Sequence, residues 1–92
     1  MIRRRLMITG RVQNVFYRDW LVEQALGLGL DGWVRNRADG SVEAVVEGAC
    51  EMVEAMISRA ADGSPASRVE NVAVSEVAPA ETLTGFVKRP TR

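Results

Sequence analysis

Histidine is absent from the 92 residues, and cysteine occurs only once, as Cys50. The lack of histidine excludes Ser-His-Asp and Cys-His nucleophilic mechanisms and the usual histidine zinc sites. A single cysteine excludes Cys-rich zinc clusters and internal disulfides, and it is typical of a protein from the reducing cytoplasm. An enzyme of this composition must therefore work with carboxylates, amides, backbone N–H groups and guanidinium groups.

The sequence also lacks any hydrophobic run close to the roughly 20 residues that cross a bilayer. The basic segment Met1–Leu6 is not followed by a long apolar stretch, so the pattern does not match a signal peptide. Hydrophobic residues make up 47% of the chain and charged residues 26%, which is typical of a globular protein. We therefore expect one monomeric domain over residues 1–92, located in the cytoplasm and without a membrane partner.

Neither charge is in excess, since 12 basic residues balance 12 acidic ones, and this argues against a nucleic-acid partner. The balance hides an asymmetry along the chain. Residues 1–40 hold seven arginines against four acids, whereas residues 41–92 hold five bases against eight acids. All the basic residues except Lys88 are arginine, whose planar fork suits phosphate and carboxylate groups. We expect any bound anion to lie in the first half of the chain.

Hydrophobic periodicity and turn residues predict five strands and two helices. The strands are Ile2–Thr9, Leu30–Asn36, Ser41–Gly48, Val69–Val77 and Leu83–Arg89, and the helices are Phe16–Leu28 and Ala49–Ala60. The order is β-α-β-β-α-β with a short extra C-terminal strand. It predicts an α+β, ferredoxin-like sandwich with two helices on one face of an antiparallel sheet. That fold serves many functions, so it does not determine the activity.

The strand pattern also assigns side chains to the two faces of the sheet. Charged strand residues are expected to face water, and this group comprises Arg3, Arg4, Arg5, Glu43 and Glu47. Trp33 and Tyr17 are expected to pack rather than to bind a ligand.

The segment from Gly10 to Arg18 connects the first strand directly to the first helix. Such a loop directs consecutive backbone N–H groups to one point beside the positive end of the helix dipole. Arg18, in the first helical turn, can add a bidentate guanidinium to a phosphate bound there. For these residues taken alone, a solvated Arg18 on a plain connecting loop remains the simpler interpretation.

Asn36 ends the second predicted strand, immediately before the hairpin residues Arg37-Ala38-Asp39-Gly40. An asparagine next to a hairpin is commonly present for turn chemistry. Its position alone therefore does not assign it a function.

Two segments of the sequence together resemble the signature of the acylphosphatase family. Gly10-Arg11-Val12-Gln13-Asn14-Val15-Phe16-Tyr17-Arg18 is similar to the family pattern G-x-V-Q-G-V-x-[FY]-R. Gly32-Trp33-Val34-Arg35-Asn36 is similar to the second pattern, G-[WY]-V-x-N. Looser similarity at Glu47-Gly48 and Ser67-Arg68-Val69 extends the resemblance over nearly the whole chain.

The resemblance implies hydrolysis of acyl phosphates to a carboxylate and inorganic phosphate, without a metal or an organic cofactor. Inorganic phosphate would then be both product and inhibitor. The family's signature arginine and loop amides hold the phosphate, and its asparagine positions water. By resemblance these roles fall on Arg18, on Asn36 and on the amides of Gln13, Asn14, Val15, Phe16, Tyr17 and Arg18. Arg11, Arg35 and Arg37 are expected to add to the positive field around the site.

The sequence departs from the first pattern at Asn14, where the family has a glycine. If this position needs only a positive φ, asparagine is the best non-glycine substitute. If the phosphate must touch the backbone there, the Asn14 side chain would weaken its binding. A non-catalytic anion-binding or regulatory module of the same fold is therefore an alternative.

An RNA-binding domain of this fold is a third interpretation of the sequence. Such domains stack bases on exposed strand aromatics. The predicted strands offer only Trp33 and Phe86 for this purpose.

Overall fold

Hydrophobic and polar residues alternate along the strands, so the sheet has one apolar face, and the apolar sides of two helices pack against it. The computed structural model describes residues 1–92. Its helices are α1 (Tyr17–Gly27) and α2 (Cys50–Asp62), and its strands are β1 (Ile2–Arg11), β2 (Asp31–Asn36), β3 (Val42–Gly48), β4 (Arg68–Glu76) and β5 (Phe86–Lys88). All seven elements are those predicted from the sequence, with boundaries that move by a few residues.

The five strands form one sheet in the order β4-β1-β3-β2-β5. Antiparallel pairs join β1 to β3, β1 to β4 and β2 to β3. Only β5 pairs in parallel, with Phe86 opposite Gly32 and Lys88 opposite Val34. The ferredoxin-like arrangement is thus confirmed, and the extra strand makes the sheet mixed rather than wholly antiparallel.

The main core lies between the sheet and the two helices. From the sheet come Leu6, Ile8, Val34, Val42, Ala44 and Val46, all of them fully buried. Helix α1 contributes Tyr17, Leu21 and Ala25, and helix α2 contributes Val53, Met56 and Ala60. The Tyr17 hydroxyl donates a hydrogen bond of 2.9 Å to the carbonyl oxygen of Ala60, which connects the start of α1 to the end of α2. The predicted stripes of both helices are therefore the ones that pack.

Helix α1 ends at the glycine expected from the sequence. Gly29 has a φ of +69°, and the N–H of Leu30 donates to the carbonyl of Ala25 at 2.9 Å. This is the Schellman termination, in which a left-handed residue turns the chain back on the last helical carbonyls. It directs the chain from α1 straight into β2.

The hairpin between β2 and β3 is closed by Asp39 and Ser41. The Asp39 carboxylate accepts hydrogen bonds from the Ser41 backbone N–H at 2.9 Å and from the Ser41 hydroxyl at 2.6 Å. These two bonds hold the pKa of Asp39 below its ordinary value. The predicted Asp-Gly turn therefore fixes the end of β2, where Asn36 lies.

On the outer face of the sheet, which points away from the helices, the predicted exposure of two charged residues is wrong. Arg3 and Glu43 were expected to face water, but both are buried. Arg3 pairs with Glu47 at 2.7 Å and donates to the carbonyl of Glu81. Glu43 pairs with three arginines at 2.8 to 3.2 Å: Arg5, Arg35 and Arg37.

Topology explains the burial of Arg3, because the carbonyl of Glu81 belongs to the connection between β4 and β5. Strands β4 and β5 lie at opposite edges of the sheet, so the connection between them must cross the sheet. It crosses the outer face, where Leu83 packs with Trp33 and Val45 in a second small cluster. Because Leu83 is used there, β5 begins only at Phe86 rather than at the predicted Leu83.

Neither helix of the structure has the length and apolar composition that a membrane crossing requires.

Candidate active site

The loop between β1 and α1 begins where β1 makes close contact with β4. A register shift falls between Thr9 and Gly10, and Gly10 has a φ of +120°. A side chain at Gly10 would overlap the carbonyl oxygen of Arg68 and the backbone nitrogen of Glu70. Glycine at this position therefore permits the bulge at which β1 changes register with β4, one residue before the strand ends at Arg11.

Two residues of this loop adopt left-handed backbone conformations. Asn14 has a φ of 60° and Phe16 a φ of 59°, while Val15 between them does not have a positive φ. Alternation of this kind aims neighbouring N–H groups at a common point and forms a concave site for anions. The loop therefore has the backbone shape that the sequence predicts for an anion cradle.

The N–H groups of this segment are free to donate. None of the backbone N–H groups of residues 13–19 makes a hydrogen bond within the chain. The first turn of any helix leaves its N–H groups unpaired, but here the run extends backwards through the loop as well. These groups lie beside the positive end of the α1 dipole, so they favour a negatively charged ligand.

Arg18 is half-buried in the first turn of α1, and its guanidinium makes no ion pair or hydrogen bond within the chain. Arginines on the outer face differ, since Arg3, Arg5 and Arg35 are paired with carboxylates. An unpaired guanidinium beside unpaired N–H groups supplies both charge and directional donors to an anion.

A cavity of about 360 Å³ lies at this loop. It is lined by Val12, Asn14, Phe16, Tyr17, Arg18, Asp19 and Lys88. Four of the six residues assigned to the phosphate loop therefore line one cavity. The side chains of Gln13 and Val15 do not take part, and neither does Asn36.

Lys88 is a cavity residue that no pattern in the sequence predicts. It is the last residue of β5, and its Nζ lies 2.6 Å from the carboxylate of Asp19 on α1. This contact holds the pKa of Asp19 below its ordinary value, through the hydrogen bond and the positive charge of Lys88. The parallel pairing of β5 with β2 brings Lys88 to the cavity, and no local motif indicated that pairing.

Gln13 acts through its side chain, a contact that the resemblance did not suggest. Its Nε2 donates to the carbonyl oxygens of Arg37 at 2.8 Å and Ser41 at 2.9 Å. Both acceptors belong to the β2–β3 hairpin, and Arg37 directly follows Asn36. The Gln13 amide therefore fastens the loop to the end of the strand that carries Asn36.

Asn36 is 8% exposed at the end of β2, opposite Val42 of β3. Its Oδ1 is buried without a hydrogen-bond partner, and its backbone carbonyl accepts the N–H of Arg92 at 3.1 Å. An unpaired buried amide oxygen is costly, and such groups are concentrated where a ligand or an ordered water completes the bonding. The strand end that carries Asn36 is thus held to the loop by Gln13, and the Asn36 Oδ1 has no partner within the chain.

Other residues singled out in the sequence have structural contacts. Arg35 and Arg37 both contact Glu43, which also contacts Arg5, so three arginines share one carboxylate and the cluster keeps a net positive charge. A contribution of this charge to the field at the loop stays a prediction. Trp33 packs as expected, and the guanidinium groups of Arg35 and Arg89 lie over its ring, at 4.7 and 4.8 Å from the ring centre. Trp33 and Phe86 are both buried, so neither offers a free face to a base.

Comparison with known proteins gives concordant matches over almost the whole chain. A family model described as Acylphosphatase matches residues 4–88. The acylphosphatase of Rhizorhabdus wittichii is 56% identical over 90 residues, which covers 98% of this chain and 90% of that protein. The acylphosphatase of Rhodospirillum rubrum is 52% identical over 83 residues, covering 90% of each chain.

A solved structure agrees with these sequence matches. The crystal structure of acylphosphatase from Bacillus subtilis has a TM-score of 0.92 at 34% identity and covers 97% of this chain and 99% of that chain. The family pattern, the identity to these relatives and the shared fold together show that the chain belongs to the acylphosphatase family and is an enzyme of that family.

Proposed function

We propose that the enzyme hydrolyses the carboxyl–phosphate bond of an acyl phosphate, with the phosphate held by the loop amides of residues 13–18 and by Arg18. The observation that carries this assignment is the run of unpaired N–H groups next to an unpaired guanidinium. A phosphate dianion is the ligand that such a set of donors fits best.

The proposed reaction needs no strong general acid. Water forms a new bond to phosphorus, the bond from phosphorus to the acyl oxygen breaks, and its electron pair leaves on the carboxylate. Carboxylic acids have pKa values near 4, so this leaving group departs without prior protonation. The proton of the attacking water passes to a phosphate oxygen, which explains how a chain without histidine performs the step.

Asn36 holds the attacking water in this proposal. An amide cannot remove a proton, but it orients water through its donor and acceptor groups. The unpaired Oδ1 of Asn36 and the attachment of its strand end to the loop through Gln13 support this role. In a loose phosphoryl-transfer transition state, placement of the nucleophile matters more than its early deprotonation.

The first test is hydrolysis of benzoyl phosphate by the wild type and by Arg18→Lys, with a chelator in both assays. Lysine keeps the charge but loses the planar fork, so we expect kcat/KM to fall by about 100-fold or more. Arg11→Lys is the matched control, because Arg11 is an exposed arginine without an ion pair a few residues earlier. Full activity in a folded Arg18→Lys variant would contradict the assignment.

The second test separates the placement of water from the binding of phosphate. In Asn36→Ala we expect kcat to fall by about 100-fold while the inhibition constant for inorganic phosphate stays within twofold. A parallel rise of that inhibition constant would show instead that Asn36 shapes the phosphate site.

We also propose that residues 1–92 act as one monomeric domain in the cytoplasm. The continuous core shared by both helices and the sheet supports a single domain, and the free, exposed thiol of Cys50 suits a reducing compartment. Light scattering after size exclusion should give the mass of one chain.

A further inference from the structure

Phe16 is unusual among the apolar residues of this protein in both conformation and exposure. Its side chain is 82% exposed, and its backbone is left-handed with a φ of 59°. It also occupies the N-cap of α1, where it provides no side-chain hydrogen bond to the helix. An asparagine, an aspartate or a glycine would suit both the cap and the left-handed backbone better. The fold therefore gains nothing evident from an aromatic ring at this position.

Strained backbone that the fold itself does not require is concentrated at functional sites. Phe16 lines the 360 Å³ cavity that also contains Arg18 and Lys88. The two other apolar lining residues, Val12 and Tyr17, are only 1% exposed, so they present almost no surface to a ligand. Phe16 is thus the one apolar side chain that can form a wall of this cavity.

The covalent structure of the substrate fixes how far its acyl group lies from the phosphate. Only one oxygen separates the phosphorus from the acyl carbon, so a group attached to that carbon remains within a few ångströms of the anion cradle. The unpaired N–H of Phe16 is one of the donors of the cradle, so the Phe16 ring is attached next to the proposed phosphate position. An acyl substituent leaving the cradle on this side meets an aromatic surface.

We propose that Phe16 is the specificity residue for the acyl group and that it favours acyl phosphates with an aromatic or bulky apolar substituent over acetyl phosphate. This inference rests on the proposed function, since it assigns the acyl side of the same site. Apolar area removed from water and ring–ring contact supply the discrimination.

The experiment compares the ratio of kcat/KM for benzoyl phosphate to kcat/KM for acetyl phosphate in the wild type and in Phe16→Asn. Asparagine tolerates the left-handed backbone, so the variant removes the ring and keeps the loop conformation. We expect the ratio to fall about tenfold, which corresponds to the loss of about 55 Å² of apolar contact. Phe16→Tyr retains the ring and should keep the ratio within twofold.

Leu26→Asn is the matched control, because Leu26 is an exposed apolar residue of α1 that does not line the cavity. It should leave the ratio unchanged. A merely structural effect of Phe16→Asn on the loop would lower both activities by the same factor, and an unchanged ratio would overturn the proposal.

A binding measurement keeps this inference separate from the proposed function. Phenylethylphosphonate and propylphosphonate carry the same two-atom spacer from phosphorus as benzoyl and acetyl phosphate, and neither can be hydrolysed. Calorimetry should show tighter binding of phenylethylphosphonate to the wild type and a loss of that preference in Phe16→Asn. If the wild type hydrolyses neither acyl phosphate, the proposed function fails. If it hydrolyses both and the phosphonate preference survives in Phe16→Asn, the role of Phe16 fails alone.

Discussion

At the scale of single residues, the anion cradle depends on backbone conformations that most side chains avoid. Asn14 stands where the family pattern has glycine, and its φ of 60° lies in the region that asparagine tolerates best among non-glycine residues. The sequence leaves two possible requirements open at this position, a positive φ and close approach of the phosphate to the backbone, and the observed φ meets the first. Close approach of phosphate to the backbone stays a prediction. Asn14 lines the cavity, so its side chain would lie near a bound phosphate.

Replacing Asn14 by glycine tests the second requirement. We expect Asn14→Gly to keep the inhibition constant for inorganic phosphate or to lower it, because glycine adopts the same φ without a side chain beside the anion. The measurement is competitive inhibition of benzoyl phosphate hydrolysis. A clear rise of the inhibition constant in a folded variant would show that the Asn14 side chain contributes to binding.

At the scale of elements, the end of β5 and the start of α1 are joined by one ion pair at the cavity. Lys88 holds the pKa of Asp19 below its ordinary value. Because the pKa is lowered in the folded state, the pair stabilises the fold above about pH 4, the ordinary carboxyl range, and this stabilisation is lost as the pH falls through the lowered value. At neutral pH the charge of Lys88 is therefore shared with Asp19 rather than offered fully to an anion.

Removal of the Asp19 charge should strengthen anion binding. In Asp19→Asn we expect the inhibition constant for inorganic phosphate to fall about three- to tenfold at pH 7, as Coulomb's law gives in water for a unit charge about 6 Å from a phosphate mono- or dianion. Lys88→Met should change the constant in the opposite direction by a similar factor. Equal constants in the wild type and both variants would mean that neither charge senses the bound phosphate.

Local sequence patterns predicted most helices and strands of this protein, because turns and helix ends depend mainly on residues that are close together in the sequence. The Asp-Gly pair predicted the hairpin, and Gly29 predicted the left-handed turn that follows the end of α1. The position of Lys88 in the cavity could not be predicted from local patterns, because it depends on β5 pairing with β2, more than 50 residues away along the chain. The role of the Gln13 side chain could not be predicted for the same reason, since its acceptors lie in a hairpin that becomes a neighbour only in the folded sheet.

At the scale of the whole molecule, the outer face of the sheet is built from charge as well as from apolar packing. Alternation along β3 predicted that Glu43 faces water, and its side chain does point away from the helices. Arg5 of β1, Arg35 of β2 and Arg37 of the hairpin turn surround it, and it is only 4% exposed. A pattern of one strand cannot show what the rest of the chain places over that strand.

Loss of the Glu43 charge should destabilise the protein more than loss of any exposed acid. In Glu43→Gln we expect the free energy of unfolding in urea to fall by about 2–3 kcal/mol, because three arginines lose their shared partner. The value is below that of fully buried pairs, since Arg5 and Arg37 remain in contact with water.

Glu76→Gln is the control for this effect. Glu76 is 87% exposed and lies 3.8 Å from Arg4, so the change should cost less than about 0.5 kcal/mol. Similar losses in the two variants would show that burial does not strengthen the Glu43 contacts.

The attachment of the loop through Gln13 also has a kinetic consequence. The hydrogen bonds from Gln13 span 24 and 28 residues, and the central strand β1 pairs with β3 and β4, which lie far along the chain. Such a fold has a high contact order, so it is expected to refold in milliseconds to seconds rather than in microseconds. The loop at the end of β1 meets Asn36 at the end of β2 only when β3 has paired with both strands, because β1 and β2 are not neighbours in the sheet. Recovery of activity after dilution from denaturant should therefore coincide with the last step of chain closure, so that turnover itself reports completed folding.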